Sequence, residues 1–213
     1  MDKNYWDEFY KYNRYENDIQ QHSTFAEFCQ LEFFHEKKFN IIELGSGNGR
    51  DSIFFVKNNH NVVAIEQSDV AIDIEKAMLL SIHKENIVLK NTNFIFEDYS
   101  NYSIINIFYS RFTMHAISEK DEDLILSKVY ESLKKGGLFC VEARTIKDPM
   151  YGTGKALEEH AFYTDHYRRF IDSDVFIKKV LHLGFKINYF LEKNNLSIYK
   201  NDNPVLMRII LEK

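Results

Sequence analysis

Short β-branched or apolar runs alternate along this chain with stretches whose apolar residues recur every three or four positions. Trp6, Phe9 and Tyr10 sit at i, i+3 and i+4, the spacing of one face of a short amphipathic helix. Thr24 and Glu27 have capping-box spacing and predict a second helix from Thr24, with Phe25, Phe28 and Cys29 on its apolar face. Residues 1–38 therefore read as a helical cap. Residues 39–44 (FNIIEL) form the first predicted strand and stop at Gly45. Arg50 to Asn58 reads as helix, and 61–66 (NVVAIE) as the second strand. Val70, Ile74, Ala77 and Met78 recur at helical spacing, and strands three and four are predicted at 94–96 and 104–109. Ser118 caps a helix with Leu126, Val129, Tyr130 and Leu133 on one face. Gly136-Gly137 breaks it before a fifth strand at 138–141. Residues 144–171 are polar, aromatic and irregular. Asp172 caps a last helix closed by Gly184, and strands at 185–190 and 205–211 finish the chain.

Strand alternating with helix predicts an α/β fold whose mostly parallel sheet is covered on both faces. The two closing strands have only a loop between them, which predicts an antiparallel pair. The 213 residues suit one domain spanning 1–213, and 45% hydrophobic with 28% charged residues predicts a packed core. A net charge of −5 disfavours binding to nucleic acid polymers. No apolar run reaches the ~20 residues that span a bilayer, and the N-terminus lacks signal-peptide character, so no membrane partner and a cytoplasmic location are expected. Cys29 and Cys140 have no C-x-x-C spacing, which argues against a disulfide scaffold or a cysteine zinc site.

The sharpest chemical signal is 43–51, Glu-Leu-Gly-Ser-Gly-Asn-Gly-Arg-Asp, which places three of the eight glycines within five residues between a strand and a helix. Glycines there let the backbone approach a ligand, and the free N–H groups of the helix start face it. A P-loop is excluded because no Gly-Lys-Ser/Thr follows, and the spacing is G-x-G-x-G rather than the dinucleotide G-x-G-x-x-G. Glu66 ends the second strand, 21 residues after Gly45, where an acid can accept both hydroxyls of a ribose. Asp98 in Glu97-Asp98-Tyr99 is a candidate acceptor for an adenine amino group, with Tyr99 beside the ring; a solvated turn is the competing reading.

Glu43 to Arg50, Glu66, Asp98, Tyr109-Ser110-Arg111 and Lys134-Lys135-Gly136-Gly137 together resemble the class I S-adenosylmethionine-dependent methyltransferases, over residues 39–143 and again at the closing strands. The resemblance implies a Rossmann-like seven-stranded sheet with a reversed last strand. It also implies S-adenosylmethionine as cofactor and S-adenosylhomocysteine as product. Carried over onto this chain, it puts Glu43, Gly45, Ser46, Gly47, Asn48, Gly49, Arg50, Asp51, Glu66, Gln67, Asp98, Tyr99 and Ser110 at the cofactor. A narrower resemblance rests on Arg50-Asp51-Ser52, 111–115 (RFTMH), 151–155 (YGTGK) and 165–170 (DHYRRF). It is to small bacterial methyltransferases near the tellurite-resistance type. Some of these are encoded with machinery for surface polysaccharides, including capsules decorated with O-methyl phosphoramidate.

Methyl transfer from a sulfonium needs an aligned donor and acceptor and sometimes a base. His115, just beyond the fourth strand, is the candidate general base for a neutral hydroxyl; packing against Phe112 is the alternative. Arg111 is expected to anchor an acid or to touch substrate. The insertion 144–171 gathers Arg144, Lys155, His160, His166, Arg168 and Arg169 around Tyr151, Tyr163 and Tyr167. Of these, Tyr151, Lys155, His166, Arg168 and Arg169 are the candidate contacts to an anionic small-molecule acceptor, since arginine suits bidentate capture of phosphate or carboxylate. Adjacent residues on a strand point oppositely, so one of Arg168 and Arg169 is expected to reach the ligand while the other pairs with an acid. A salt-bridged surface is the competing reading. His160 and His166 match no metal-site spacing, so no metal is expected. Tyr5, Trp6, Phe9 and Tyr10 read either as a lid over the cofactor or as core. The expected activity is O-methylation of a small anionic metabolite. Methylation of nitrogen, sulfur or tellurium, a non-catalytic sensor, and a nicotinamide dehydrogenase are its rivals.

Overall fold

The computed structural model of the chain describes residues 2–13, 21–79 and 85–213; the stretch 14–20 of the expected cap lies outside them. The central sheet comprises β1 (Asn40–Leu44), β2 (Asn61–Glu66), β3 (Ile87–Asn91), β4 (Ile105–Arg111), β5 (Leu133–Arg144), β9 (Lys186–Lys193) and β10 (Leu206–Glu212). Their order is β3-β2-β1-β4-β5-β10-β9, with β10 antiparallel to both neighbours and β1 to β5 parallel. The helices are α1 (Lys3–Tyr12), α2 (Thr24–Cys29), α3 (Arg50–Lys57), α4 (Asp69–Met78), α5 (Glu119–Ser132) and α6 (Ser173–Leu183).

Side chains alternate across each strand, so the sheet feeds two cores. Ile42 and Leu44 of β1 pack with Ile125 and Val129 of α5 and Phe176 of α6. Ile41 faces the opposite way, among Phe25 of α2, Phe34 and Phe55. Parallel strands buried on both faces need apolar residues at nearly every position, which is why β1, β2 and β4 read clearly. Among the described residues no helix is long and apolar enough to cross a membrane.

Four expectations need correction. The third strand is Ile87–Asn91, not 94–96. As an edge strand it buries one side only and leaves Val88 exposed, so its apolar signal is weak. Phe94 and Ile95 are buried instead in the turn beyond it, where Lys128 Nζ donates to the Ile95 carbonyl at 2.7 Å. Second, 144–171 is not irregular throughout. It contains a three-stranded antiparallel sheet, β6 (Lys155–Glu158), β7 (Ala161–Tyr163) and β8 (Tyr167–Arg169). Strands this short, with β6 fully exposed, show no alternation to read. Third, the cap of α2 is Ser23, whose Oγ accepts from Ala26 N at 3.0 Å; Thr24 donates instead to the Leu196 carbonyl. Fourth, α4 turns Ala71, Ile72, Ile74 and Glu75 inward, leaving Ala77 exposed.

One carboxylate joins three strands at the C-terminal edge of the parallel set. Glu142 on β5 is fully buried and accepts from Arg111 Nε on β4 at 3.0 Å and from Arg208 Nε on β10 at 2.6 Å. The same arginines reach Ser197 Oγ, Thr24 Oγ1 and the Leu196 carbonyl, so this centre also holds the β9–β10 loop. Removing one member of a buried ion cluster strands the rest, which costs about 3–5 kcal/mol. Glu142→Ala is expected to destabilise the fold by that amount in urea denaturation. A loss below about 1 kcal/mol would mean that water solvates both guanidiniums.

Candidate active site

The loop from Gly45 to Gly49 leaves β1 at the edge where open α/β sheets bind ligands. Its backbone is tied to β2: Gly45 N and Ser46 N donate to the Ile65 carbonyl at 2.8 and 3.0 Å, and Gly47 N donates to Glu66 Oε2 at 3.0 Å. Ser68 N donates to the other Glu66 oxygen at 2.8 Å. Glycine is required on two sides of this loop. Gly47 has φ +58, and a Cβ there would lie 2.1 Å from Tyr10 Oη. Gly49, at φ +80, caps α3, and a Cβ would meet the Glu75 side chain at 2.2–2.5 Å.

Acidic groups gather beneath and beside the loop. Glu43 is buried and accepts from Ser52 Oγ at 2.5 Å; burial, then the Asp51 charge, push its pKa well above the usual carboxylate range. Burial also raises Glu66. Glu75 is fully buried on α4, accepts from Ser46 Oγ at 3.0 Å, leaves Oε1 without a partner, and is pushed up to about 8 by burial. Asp51 accepts from Ser23 N, Ser23 Oγ and the Tyr109 hydroxyl at 2.6, 2.7 and 2.8 Å, which ties α3 to the start of α2.

Above the loop lies a cavity of about 690 Å³. Tyr5, Trp6, Phe9 and Tyr10 line it, and no residue of α1 is buried, so α1 is a roof rather than part of the core. Its ties are polar: Asp7 accepts from Ser68 Oγ at 2.6 Å, Lys3 meets Asp69 at 2.8 Å, and the Tyr5 hydroxyl donates to Asp165 at 3.0 Å. Tyr5 also stacks on His166, ring centroids 4.1 Å apart. The far wall contains Arg111, His115, Arg144, His166, Arg168 and the β9–β10 loop.

Charges on that wall are unequally compensated. Arg111 is met by Glu142 and Arg144 by Asp148 and Asp202. Arg168 donates to His166 Nε2 at 3.0 Å and to Thr164 Oγ1 at 3.4 Å, and Asp165 Oδ1 stands 4.0 Å away. Its neighbour Arg169 turns to the other side, where it pairs with buried Glu122. Burial and the Arg168 charge hold His166 down at about 4, so its ring is neutral.

Glu43, Gly45, Ser46, Asn48, Arg50, Asp51, Glu66, Gln67, Arg111, His115, His166 and Arg168 all line this cavity, and Gly47 and Gly49 lie in the same loop. Others do not converge. Asp98 is exposed and caps a short turn, accepting from Ser100 N at 3.0 Å, while the Tyr99 hydroxyl donates to the Phe94 carbonyl. Ser110 is buried with Oγ 2.5 Å from Thr113 Oγ1. Tyr151 pairs with His160 and Lys155 sits on exposed β6, both away from the cavity. Among the described residues no His, Cys, Asp or Glu cluster suits a metal ion. Glu75 escaped sequence reasoning because a carboxylate on an amphipathic helix reads as its solvent face.

No protein-family model and no curated protein matches the sequence. Solved structures do match over nearly the whole chain. The CcbJ methyltransferase from Streptomyces caelestis aligns with a TM-score of 0.75 at 14% identity, over 98% of this chain and 97% of its own. The 1,6-didemethyltoxoflavin-N1-methyltransferase from Burkholderia thailandensis, with bound S-adenosylhomocysteine, aligns at 0.70 and 11% identity, over 99% and 84%. The chain has the Rossmann-like fold of the S-adenosylmethionine-dependent methyltransferases. The cyclase SpnF shares it, with a TM-score of 0.67 at 11% identity over 88% and 80%, so the reaction must be argued from the site.

Glu75 makes stability depend on pH. Below its ordinary value of 4.5 both folded and unfolded states are protonated. Between about 4.5 and about 8 the folded state keeps a proton that the unfolded state has lost, so stability falls as pH rises, by at most about 1.4 kcal/mol per pH unit. Glu75→Gln is expected to flatten that slope in chemical denaturation between pH 5 and 8. Parallel slopes for the two proteins would show that Glu75 ionises freely in the fold.

Proposed function

We propose that residues 1–213 form one cytoplasmic S-adenosylmethionine-dependent methyltransferase domain that methylates an oxygen of a small anionic acceptor. The supporting observation is one cavity with the glycine loop and its carboxylates at one end and Arg168 with His115 at the other. The residues present fit the donor. The loop residues Gly45, Ser46 and Asn48 line the cavity, and so does Glu66 at the end of β2, where an acid accepts from ribose hydroxyls. Burial favours the neutral forms of Glu43 and Glu66, and a sulfonium bound beside the loop would favour their ionised forms, which a thioether would not. Bound S-adenosylmethionine supplies an electrophilic methyl group.

On the acceptor side, α1 and the β9–β10 loop both line the cavity. Arg168, whose nearest carboxylate oxygen stands 4.0 Å away, binds the acceptor's anionic group. Tyr5 and Trp6, beside His166, offer flat apolar surface to the acceptor's body. The narrower sequence resemblance puts such acceptors among phosphorylated or phosphoramidate-bearing sugars and nucleotides of surface polysaccharide pathways. The toxoflavin enzyme of the same fold, named for methylation at N1, supports nitrogen as the alternative accepting atom. The charge of Arg168 favours the anionic oxygen.

Calorimetry is expected to show S-adenosylhomocysteine binding that Gly47→Val abolishes; undiminished binding in that variant would move the donor site elsewhere. Arg168→Ala is expected to raise the KM of a phosphorylated acceptor at least about tenfold, the ~1.5–3 kcal/mol of a charged hydrogen bond, with donor affinity unchanged. Equal turnover of phosphorylated and dephosphorylated acceptors would remove Arg168 from substrate recognition.

A further inference from the structure

His115 lies in the wall that faces the acceptor, and its hydrogen bonding decides what it can do there. Arg144 N sits 3.2 Å from His115 Nδ1. A backbone amide only donates, so Nδ1 holds a lone pair and the ring proton is on Nε2. His115 lines the cavity, which leaves its Nε2–H edge to meet the ligand. Burial, followed by the charges of Arg144 and Arg168, holds its pKa well below the usual range, so the ring stays neutral.

The groups that face His115 come from β5, β8 and the turn before β8. Arg144 on β5 is balanced by Asp148 and Asp202, Arg169 on β8 by Glu122, and Arg168 on β8 has Asp165 at 4.0 Å. His166 precedes β8 and is neutral. What this wall offers a ligand is therefore a neutral N–H donor beside a guanidinium. For His115 to take a proton from an acceptor, Nδ1 would have to leave Arg144 N and the buried ring would have to turn over.

Building on the methyltransferase reading, we propose that this wall binds the atom to be methylated as an oxygen that is already ionised, in a phosphoryl group, and that transfer needs no general base. A phosphoryl group presents three oxygens. The His115 Nε2–H and the Arg168 guanidinium hold two of them and leave the third free to attack. A lone pair of that oxygen forms the new O–C bond while the C–S bond breaks and its electron pair stays on sulfur. One negative and one positive charge disappear together, and no proton is released. A neutral hydroxyl or an ammonium acceptor would release one proton per turnover. His115 binds and orients the acceptor in this scheme and accepts no proton.

Two measurements test it, after calorimetry has established that the protein is saturated with S-adenosylhomocysteine; failure of that step alone would sink the donor reading, not the anion wall. In the first, nitrogen-15 NMR of the histidine rings follows a titration with inorganic phosphate. His115 is expected as the Nε2–H tautomer from pH 6 to 8, with its Nε2 resonance shifting on phosphate addition and the shift lost in Arg168→Ala. An Nδ1–H tautomer, an imidazolium at pH 7, or no shift up to about 10 mM phosphate overturns the proposal. In the second, a panel of sugar phosphates, nucleotides and their dephosphorylated forms is turned over in weak buffer at pH 8, with protons and S-adenosylhomocysteine counted together. The expected ratio is zero protons per product, on phosphorylated acceptors only. His115→Gln, which keeps an N–H donor, is expected to lose less than about tenfold in kcat, and His115→Ala to raise acceptor KM. A ratio of one, or a kcat loss of ~10²–10⁴ in His115→Gln, the range of a lost general base, overturns it.

Discussion

The backbone of Gly45–Gly49 is held at the sheet edge by three amide hydrogens that point into β2, two at the Ile65 carbonyl and one at the Glu66 carboxylate. That constraint decides most of what surrounds it. Because the loop is pulled against β2, α3 starts over the sheet, and Asp51 in its first turn can reach Ser23 and fix the start of α2. Because Gly49 has no side chain, the carboxyl group of Glu75 fits beneath the loop and meets Ser46. Because Gly47 has none, the Tyr10 hydroxyl of the roof can close down on the same point. A side chain at either position would push two elements apart, so the loop is a packing joint as much as a ligand cradle.

Charge is sorted along the cavity by the same economy of partners. Buried charges must be paired or hydrogen-bonded. Glu142, Glu122, Asp148 and Asp202 each take an arginine, and those pairs join strands, insertion and loops. Two of the paired cations, Arg144 and Arg169, come from the insertion. Arg168 sits farther from its acid than these do, and it is turned into the cavity. At the opposite end the glycine loop lies among Glu43, Glu66 and Glu75, whose pKa values are raised first by burial and then by the neighbouring acids. A ligand that carries a cation at one end and meets an anion at the other relieves both ends at once. The sulfonium donor and anionic acceptor of the proposed reaction would have that pattern of charge.

Legibility in the sequence followed the range of the interactions involved. The glycine loop, β1, β2, β4 and the caps Ser118, Asp172 and Gly184 were readable because their causes are local: backbone conformation, burial on both faces, a side chain bonding its own helix start. β3 was misplaced because an edge strand needs only half the apolar residues of a central one, while Phe94 and Ile95 pack from a turn. The three short strands of the insertion left no period at all. Which of Arg168 and Arg169 faces the cavity depends on Glu122, 47 residues away, and alternation alone could say only that they differ. Asp98 followed a strand in the sequence reading; with β3 ending at Asn91, six residues separate it from that strand, and it caps a turn at the surface.

The roof stands apart energetically from the rest. Glu142 and its two arginines are inside the protein, where loss of one partner strands the others. The ties of α1 are of a different kind: Lys3 to Asp69 and Tyr5 to Asp165 are exposed, and exposed pairs are worth about 0–1 kcal/mol each. None of its residues is buried, so little apolar area holds it down beyond its aromatic face over the cavity. Filling the cavity changes that balance, because a ligand beneath Tyr5, Trp6, Phe9 and Tyr10 gives those rings a surface to cover. The same helix reaches α4 through Asp7 and the β7–β8 turn through Tyr5, so it spans both ends of the cavity. A molecule that touched the α1 rings from either end of the cavity would therefore hold the roof over the whole of it.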